Sequence, residues 1–502
     1  MEKNTLLAIA LSILVLLSWS VWVSKFYPID NSKVTIRSPQ PATPSSPVTV
    51  SQKEETEPTL PTFNFAQEKF GIVFLESQAA IKEVVFPDYQ SYRFPLKYAF
   101  RLGDKTLVFR KESSSDKRIQ FIHEDENKKI KKVFTFDNLN YSIELEIEIQ
   151  NTSNLPLKIN LPLTLGVLGS NRDEARFQDV TLALKDKVLH LNGRKEEVVD
   201  QVKFIGLRDR YFCAIAQPET EDWQGYIKKI APAESEIGLQ IRKLILSPQQ
   251  NITRKIRIYL GPQSLQLINA HNPEWSAVMY YGIFNFMARF LWQILEFLYR
   301  LLHNWGWAII VLSVLIYLAL FPLTLKQLRS MKAMQVLQPA IEELRIKYKD
   351  NPQKLNREIL ELYRQHKINP LGGCLPMILQ LPIFFALYQV LMRSVALKGS
   401  SFLWIKDLSK PDCLFTLPQS LPIIGNEINI LPLLMAFGMF LQQKISLKTS
   451  SGPAAEQQRL MTIILPVMFG VLFYRMPAGL VLYWFLNSSL MLIYQFRVNQ
   501  QR

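Results

Sequence analysis

The 502-residue chain contains little that points to covalent chemistry. Its three cysteines, Cys213, Cys374 and Cys413, lie far apart, and none belongs to a C-x-x-C pair. An odd number of cysteines cannot all pair internally, so the pattern argues against a disulfide framework and against a zinc site. The sequence also has no G-x-x-x-x-G-K-[S/T] motif for nucleotide phosphates. We therefore predict no cofactor, no metal and no catalytic residue.

Charge is missing from five long apolar stretches in the C-terminal part. Residues 307–325, 372–392, 428–443, 460–474 and 476–496 contain no Asp, Glu, Lys, Arg or His. Ion pumps keep ionisable groups at bilayer depth, and a hydrolase needs a base there, so this absence argues against both classes. Stretches of this length predict membrane-spanning helices, which we place at 305–325, 372–396, 428–446, 460–475 and 477–496.

The N-terminal segment predicts one further span. Residues 6–23 are 18 apolar or small residues behind a short Met-Glu-Lys-Asn sequence. The run is long for a signal-peptide core and no convincing A-x-A site follows, so we predict a retained anchor over residues 1–24 rather than a cleaved signal. Residues 25–62 are rich in proline and poor in apolar residues, which predicts a disordered linker. With the anchor there are six spans, and both termini lie on one side.

A large region with a two-residue period follows the linker. The segment YSIELEIEIQ alternates isoleucine and leucine with glutamate, which places one apolar and one charged face on a strand. Short strands of this kind, separated by turn signals, predict one antiparallel β-sandwich over residues 63–262. Residues 276–303 are apolar and aromatic but contain Arg289 and Glu296. Burying those charges in lipid is costly, so we predict an amphipathic helix at the membrane interface instead of a span.

The chain has a net charge of +15 (58 Lys and Arg against 43 Asp and Glu), and one loop between two predicted spans carries ten Lys and Arg against five Asp and Glu. Residues 326–370 show apolar residues at three- and four-residue steps, and Asp-Asn-Pro divides them, which predicts a helical hairpin. Its basic side chains include Lys326, Arg329, Lys332, Arg345, Lys347 and Lys349. The positive-inside rule places this hairpin and both termini in the cytoplasm. The β-sandwich is then extracytoplasmic, which suggests the periplasm and a bacterial inner membrane.

A few neutral polar residues interrupt the apolar spans. Ser313 and Tyr317 share a helix face, as do Tyr483 and Asn487, which lie beside Trp484 and Ser488. Gln380 has Phe384 one turn further along its own helix. These groups either form hydrogen bonds between helices or line a wet groove. Twelve of the thirteen methionines lie at or after Met279, and they either fill gaps in packing or form an adaptable apolar surface.

Several motifs resemble those of the YidC membrane-protein insertase family. They are NPLGGCLPMILQLPIFFALYQVL, LFPLTLKQLRSMKAMQVLQPAIEELRIKY, LWIKDLS, MPAGLVLYWFLNSS and, in the β region, IGLRDRYFCAIAQP. The resemblance implies a multi-domain membrane protein with six transmembrane helices, five of them forming an insertase core. It also implies a periplasmic all-β super-sandwich and a cytoplasmic helical hairpin. The implied function is insertion and folding of inner-membrane proteins, alone or with the Sec translocon.

The resemblance also implies the residues of a substrate groove open to cytoplasm and lipid. By motif these are Ser313, Gln380, Leu381, Phe384, Tyr483 and Trp484, and the hairpin is a contact region for substrate, ribosome or targeting receptor. Implied partners are nascent membrane proteins and membrane lipids, with no nucleic acid. Family members commonly carry a groove arginine five residues before the proline of the Pro-Leu turn. Here that position is Tyr317, before Pro322.

Two other functions remain as alternatives at this stage. A β-sandwich of this size also suits a membrane-anchored periplasmic carbohydrate-active or carbohydrate-binding protein, but one anchor would suffice and six spans would be unexplained. A solute transporter is disfavoured by the uncharged spans and by the lack of evident internal repeats.

Overall fold

The computed structural model describes residues 60–500 apart from 104–105, 138–139, 170–174, 194, 242–243, 350, 369–374, 422–424 and 448–452. The predicted anchor, and the predicted linker up to residue 59, lie outside the described residues. By its internal contacts the chain divides into residues 1–59 with 451–461, and residues 60–450 with 462–502. The description below concerns the second unit.

The alternating residues between Thr62 and Pro262 form an antiparallel β region. Its largest sheet has nine strands in the order β12-β11-β14-β15-β19-β8-β7-β6-β5. These are β5 (Arg110–Ser115), β6 (Arg118–Glu124), β7 (Lys128–Phe136), β8 (Ser142–Asn151), β11 (Asp179–Leu184), β12 (Val188–Leu191), β14 (Val202–Arg208), β15 (Phe212–Pro218) and β19 (Asn251–Pro262).

Three smaller sheets complete the β region. Two have four strands, in the orders β1-β2-β3-β4 and β10-β17-β16-β13, and the third pairs β18 with β9. Their strands are β1 (Thr62–Ala66), β2 (Gly71–Leu75), β3 (Ala80–Phe86), β4 (Tyr92–Ala99), β9 (Leu157–Ile159), β10 (Leu163–Leu168), β13 (Glu197–Val199), β16 (Trp223–Ala231), β17 (Glu234–Ile241) and β18 (Leu244–Leu246). All pairings between these strands are antiparallel.

The period-two pattern accounts for the core of the β region. In β8 the side chains of Ile143, Leu145, Ile147 and Ile149 are buried, while Glu144 on the opposite face is exposed. Aromatic rings fill much of the space between the sheets, as in the stacked pair Phe86–Phe212, whose ring centroids are 4.0 Å apart. One charged residue, Lys132 of β7, is fully buried among these rings.

Nine described helices follow the β region. They are α1 (Leu265–His271), α2 (Asn285–Leu302), α3 (Trp305–Val336), α4 (Gln338–Lys347), α5 (Pro352–Gln365), α6 (Leu375–Arg393), α7 (Ile430–Leu447), α8 (Pro453–Phe473) and α9 (Ala478–Gln500). A hairpin of β20 (Phe415–Leu421) and β21 (Gly425–Ile428) lies between α6 and α7. Among the described residues, two segments are long and apolar enough to span a membrane, Trp305–Lys326 and Ala478–Arg497, and Ile430–Ile445 and Thr462–Phe473 are shorter apolar helices.

Several helix boundaries differ from the predicted ones. The helix that contains the span predicted at 305–325 is longer than that span, because α3 continues with Pro322 inside it to Val336. The predicted hairpin therefore consists of the last part of α3 followed by α4 and α5, and Pro339 near the start of α4 fits the break there. Helix α2 begins at Asn285 rather than at residue 276, because short 3-10 segments occupy Pro273–Val278 and Gly282–Phe284.

The loop between α6 and α7 organises the starts of two helices. The Asp412 carboxylate accepts hydrogen bonds from the backbone N–H groups of Ile430 and Leu431, both at 2.9 Å, and so caps α7. The carbonyls of Leu408 and Lys410 accept from the first N–H groups of α9. The loop that contains the LWIKDLS motif thus holds the ends of α7 and α9 that lie on the β-region side.

Candidate functional site

A cavity of about 290 Å³ lies between α3, α6, α7 and α9. We call it the groove cavity. Its lining combines apolar side chains with six neutral polar ones, and no Asp, Glu, Lys, Arg or His is among the described lining residues. The lining residues are Tyr317, Leu320, Leu323, Thr324, Gln380, Leu381, Phe384, Met439, Gln442, Trp484, Asn487, Ser488 and Met491.

The polar side chains of the groove cavity differ in how well they are hydrogen-bonded. Gln380 donates from Nε2 to the Tyr483 hydroxyl at 2.6 Å, and Asn487 donates from Nδ2 to the Tyr483 carbonyl at 3.1 Å. The Thr324 hydroxyl donates to the Leu320 carbonyl of its own helix at 3.2 Å. By contrast, the Tyr317 hydroxyl is buried and has no hydrogen-bond partner within the described part of the chain. The described residues thus leave at least one polar group of the cavity lining without a hydrogen-bond partner.

An aromatic cluster borders the groove cavity on the side of the β region. The Trp484 ring contacts the rings of Phe384, Phe469 and Phe473 at centroid distances of 4.9, 5.5 and 5.4 Å. Because α6 runs away from the hairpin and α9 runs back toward it, Phe384 and Trp484 lie nearer the β region than Gln380 and Asn487 do. Polar lining residues thus lie on the hairpin side of the aromatic rings.

The structure brings most of the predicted groove residues together, with two corrections. Tyr317, Gln380, Leu381, Phe384, Trp484, Asn487 and Ser488 all line the groove cavity. Ser313 does not, because it lies one turn nearer the β region, is fully buried, and donates its hydroxyl to the Ile309 carbonyl at 2.7 Å. Tyr483 does not line it either. Its ring is fully buried, and its hydroxyl accepts the hydrogen bond from the Gln380 amide.

Six lining residues were absent from the prediction: Leu320, Leu323, Thr324, Met439, Gln442 and Met491. A signal for two of them is present in the sequence. Thr324 is seven residues after Tyr317 and so returns to the same helix face, and Gln442 is an amide within a predicted span. The apolar members carry no comparable signal, because leucine and methionine occur on all faces of these helices.

The basic residues predicted for the hairpin are exposed where their side chains are described. Lys326 and Arg329 lie on the last part of α3, Arg345 and Lys347 on α4, and Lys349 just after it. The side chain of Lys332 is outside the described part of the structure. Their exposure fits a solvated surface, and their role in contacting a partner remains a prediction.

Comparison with known proteins decides the family. A family model described as "60Kd inner membrane protein" matches residues 297–502, and one described as "YidC periplasmic domain" matches residues 97–294. The "Membrane protein insertase YidC" of Pelobacter propionicus is 30% identical over 546 residues, covering 100% of this chain and 99% of the relative. The chain belongs to the YidC membrane protein insertase family.

Two solved structures resemble the chain at low scores. A crystal structure of an active YidC insertase covers 87% of this chain and 92% of its own, at 20% identity and a TM-score of 0.40. A galactose mutarotase related enzyme from Lactobacillus acidophilus covers 40% of this chain and 97% of its own, at 10% identity and a TM-score of 0.32.

Membership of the YidC family answers several questions left open by the sequence. The family consists of inner-membrane proteins with a periplasmic domain, so the β-rich and helical halves have their expected counterparts. The insertase family is not enzymatic, which decides against the carbohydrate-active enzyme considered above.

Proposed function

We propose that the chain inserts hydrophobic segments of newly made proteins into the bacterial inner membrane by way of the groove cavity. The observation that carries this proposal is the mixed lining of that cavity, in which six neutral polar side chains alternate with apolar ones. A polar group that enters hydrocarbon without a hydrogen-bond partner costs several kcal/mol. The amides of Gln380 and Asn487 and the Tyr317 hydroxyl offer such partners to the polar flank of a passing segment.

The direction of insertion follows from the properties of the substrate. Transfer of apolar surface from water to lipid releases about 25 cal/mol per Å², so a hydrophobic segment leaves the groove sideways without nucleotide hydrolysis. The neutral lining suits this role, because it binds polar groups without holding them as a buried charge would. Leu381, Met439 and Met491 supply adaptable apolar contact for segments of different sequence.

The proposed topology has six spans: the N-terminal run with α3, α6, α7, α8 and α9. The basic hairpin and both termini lie in the cytoplasm by the positive-inside rule, and α2 lies at the periplasmic interface. On α2 the exposed side chains Phe286, Phe290, Phe297 and Leu301 recur at helical steps. Arg289, by contrast, turns inward and donates to the carbonyls of Ser276 and Met279 at 3.0 and 3.1 Å.

Two of the proposed spans are short for a bilayer. At about 1.5 Å per residue, the uncharged apolar runs 428–443 and 460–474 measure roughly 24 Å and 22 Å, against a hydrocarbon core of about 30 Å. The bilayer is therefore expected to thin beside α7 and α8. A thinner bilayer shortens the distance that a polar segment crosses. The Sec translocon, a ribosome or targeting receptor at the hairpin, and membrane lipids complete the proposed set of partners.

A depletion-and-rescue assay tests this function. In a bacterium depleted of its own insertase, we expect the wild-type chain to restore membrane integration of a small single-span protein. The Gln380→Leu/Asn487→Leu variant is expected to reduce integration about tenfold, equivalent to about 1.4 kcal/mol in the barrier. Ser313→Ala is the matched control, because it removes a polar group from the same bundle outside the groove cavity.

The variants must be compared at equal membrane abundance. Full integration by the double variant would contradict a polar insertion groove and reduce the amides to packing. Loss of integration in Ser313→Ala as well would show that the assay reports bundle stability instead of the groove.

A further inference from the structure

Two arginines connect the β region to the outer end of α6. Arg210 follows β14 in the β region and donates from Nε to the carbonyl of Met392 at 2.8 Å and from Nη2 to the carbonyl of Ser409 at 3.1 Å. Arg393, the last residue of α6, reaches in the opposite direction and donates to the carbonyl of Phe177 at 3.0 Å. Each arginine thus binds main-chain atoms of the other's region. We call this pair of contacts the arginine clasp.

The arginine clasp is supported by a buried ion pair and a shared ring. Arg393 lies 3.6 Å from the Asp179 carboxylate, which also accepts two hydrogen bonds from Arg208 at 2.5 and 2.7 Å. The guanidinium groups of Arg210 and Arg393 both lie over the Phe177 ring, at 5.2 and 5.7 Å from its centroid. The Arg393 side chain is only 10% exposed. Charged hydrogen bonds with this little exposure are among the stronger polar contacts in proteins.

The two carbonyls that Arg210 binds belong to elements that form or hold the helices around the groove cavity. The Met392 carbonyl belongs to the last turn of α6, where carbonyls lack helical partners and a cation is favourable. Gln380, Leu381 and Phe384 of the groove cavity lie on this same helix. The Ser409 carbonyl belongs to the loop whose Leu408, Lys410 and Asp412 hold the starts of α9 and α7. One side chain of the β region therefore contacts the elements that fix three of the four groove helices.

We propose that the β region positions the outer ends of the groove helices through the arginine clasp, and that insertion depends on this positioning. The inference rests on the proposed function for its second half only. Arg210, Arg393 and Asp179 act here as positioning residues, since none of them lines the groove cavity. Arginine suits the Arg210 position because its planar fork presents two separate nitrogens, Nε and Nη2, to two carbonyls, whereas lysine has a single ammonium nitrogen.

Hydrogen exchange of the full chain in lipid nanodiscs tests the positioning itself. We expect Arg210→Ala and Arg393→Ala each to increase exchange about tenfold in peptides covering residues 388–397 and 404–412, because each removes one or two charged hydrogen bonds. Peptides from β8 and β19 should keep wild-type exchange. Arg210→Lys should fall between wild type and Arg210→Ala.

Arg176→Ala is the matched control. The Arg176 guanidinium also lies over the Phe177 ring, at 4.7 Å, but Arg176 is exposed and no contact of its side chain with α6 is observed. It should leave exchange in all of these peptides unchanged. The proposal is overturned if Arg210→Ala and Arg393→Ala behave like Arg176→Ala, or if β8 and β19 loosen as much as the α6 peptides do.

The same variants in the integration assay separate this inference from the proposed function. We expect Arg210→Ala and Arg393→Ala to lower integration about threefold or more at equal abundance, and Arg176→Ala to have no effect. Altered exchange with unchanged integration would overturn the functional half of the inference. Failure of the wild-type chain to integrate any substrate would instead refute the proposed function, while the exchange result would still decide the positioning.

Discussion

The β region and the groove cavity differ in the charge of their buried polar groups. In the β region several are ionisable and paired: Arg101 lies 2.5 Å from Glu236, and Arg208 binds Asp179 with two hydrogen bonds. In the groove cavity they are neutral, and the Tyr317 hydroxyl is buried without a partner among the described residues. Satisfied polar networks fix one arrangement of the chain. An unsatisfied hydroxyl costs stability in the empty protein, and in the proposed function a guest supplies its partner.

The contrast fits two different tasks. The Arg101–Glu236 pair is mostly buried and connects the segment after β4 to strand β17. A groove that must receive many segments cannot be complementary to any one of them, and neutral donors and acceptors bind a polar flank without the large desolvation cost of a charge. The first two predictions test whether the stability of the β region depends on its buried charges. The last tests whether the Tyr317 hydroxyl contributes to insertion without contributing to stability.

The largest effect is expected from breaking the Arg101–Glu236 pair. The two side chains are 9% and 11% exposed, and Glu236 also accepts hydrogen bonds from Tyr226 and Thr164. Arg101→Met leaves a buried carboxylate without its cation, which should lower the free energy of unfolding of the β region by about 3–5 kcal/mol. Urea-dependent proteolysis of the full chain in detergent measures this change.

A lysine on the surface of the same region provides the control. Lys129 pairs with Glu124 at 3.6 Å, and both side chains are largely exposed at 40% and 52%. Lys129→Met should therefore change the free energy of unfolding by less than about 1 kcal/mol. Similar losses in Arg101→Met and Lys129→Met would show that burial does not distinguish the two pairs.

A smaller effect, with a defined pH dependence, is expected from Lys132. Its ammonium group donates to the carbonyls of Ala79 and Phe100 at 2.6 and 2.5 Å, with no carboxylate partner observed, and burial lowers its pKa to about 7. In the unfolded chain the pKa is about 10.4, so above pH 7 the unfolded state binds more protons than the folded state. The free energy of unfolding should therefore rise with pH, by at most about 1.4 kcal/mol per pH unit.

The pH dependence of the free energy of unfolding should be measured between pH 7 and 9. The buried charge destabilises the fold fully below pH 7, and this cost is relieved as the pH rises toward the unfolded pKa. Burial lowers the pKa values of His190 and His271, so these groups act below the window, while tyrosines such as Tyr226, whose pKa burial raises, act above it. Lys132→Met should remove the slope, and an unchanged slope in that variant would assign it to other groups.

The sequence predicts the β region well because its signal is local. Alternation in β8 reports which side chains face the core, and the structure buries Ile143 to Ile149 at every second position as expected. The local pattern does not predict the burial of Lys132. It occupies a core position in β7, and its acceptors come from residues 53 and 32 positions away in the chain, which no local pattern reveals.

The groove is predicted less completely because a helix face does not say which neighbour it meets. Ser313 and Tyr317 share a face, yet only Tyr317 reaches the groove cavity, since α3 packs tightly at Ile309 and Leu312 near its start. Tyr483 and Asn487 likewise share a face, and the Tyr483 ring is covered by α6. Family resemblance supplies the motif positions but not the depth of each side chain in the bundle.

The smallest effect on stability, and the most selective one on function, is expected at Tyr317. Its hydroxyl has no observed partner, so Tyr317→Phe should change thermal stability by less than about 0.5 kcal/mol. The matched change is Tyr483→Phe, which removes the hydroxyl that accepts the hydrogen bond from Gln380. That variant should lose about 0.6 kcal/mol, the typical contribution of a hydrogen bond between membrane helices.

The order of the Tyr317→Phe and Tyr483→Phe variants in the integration assay should differ from their order in stability. If the Tyr317 hydroxyl binds the polar flank of a substrate, Tyr317→Phe should lower the integration of single-span proteins with polar flanks. The stability of the variant should equal that of the wild type, and a fully apolar substrate should be integrated normally. Tyr317→Arg, which places a cation in the groove lining, should favour substrates with acidic tails, because it adds an attraction that the present lining does not offer. Equal integration of polar and apolar substrates by Tyr317→Phe would show that the unpartnered hydroxyl is incidental. The distinction between a satisfied β region and an available groove would then have to rest on the amides of Gln380 and Asn487.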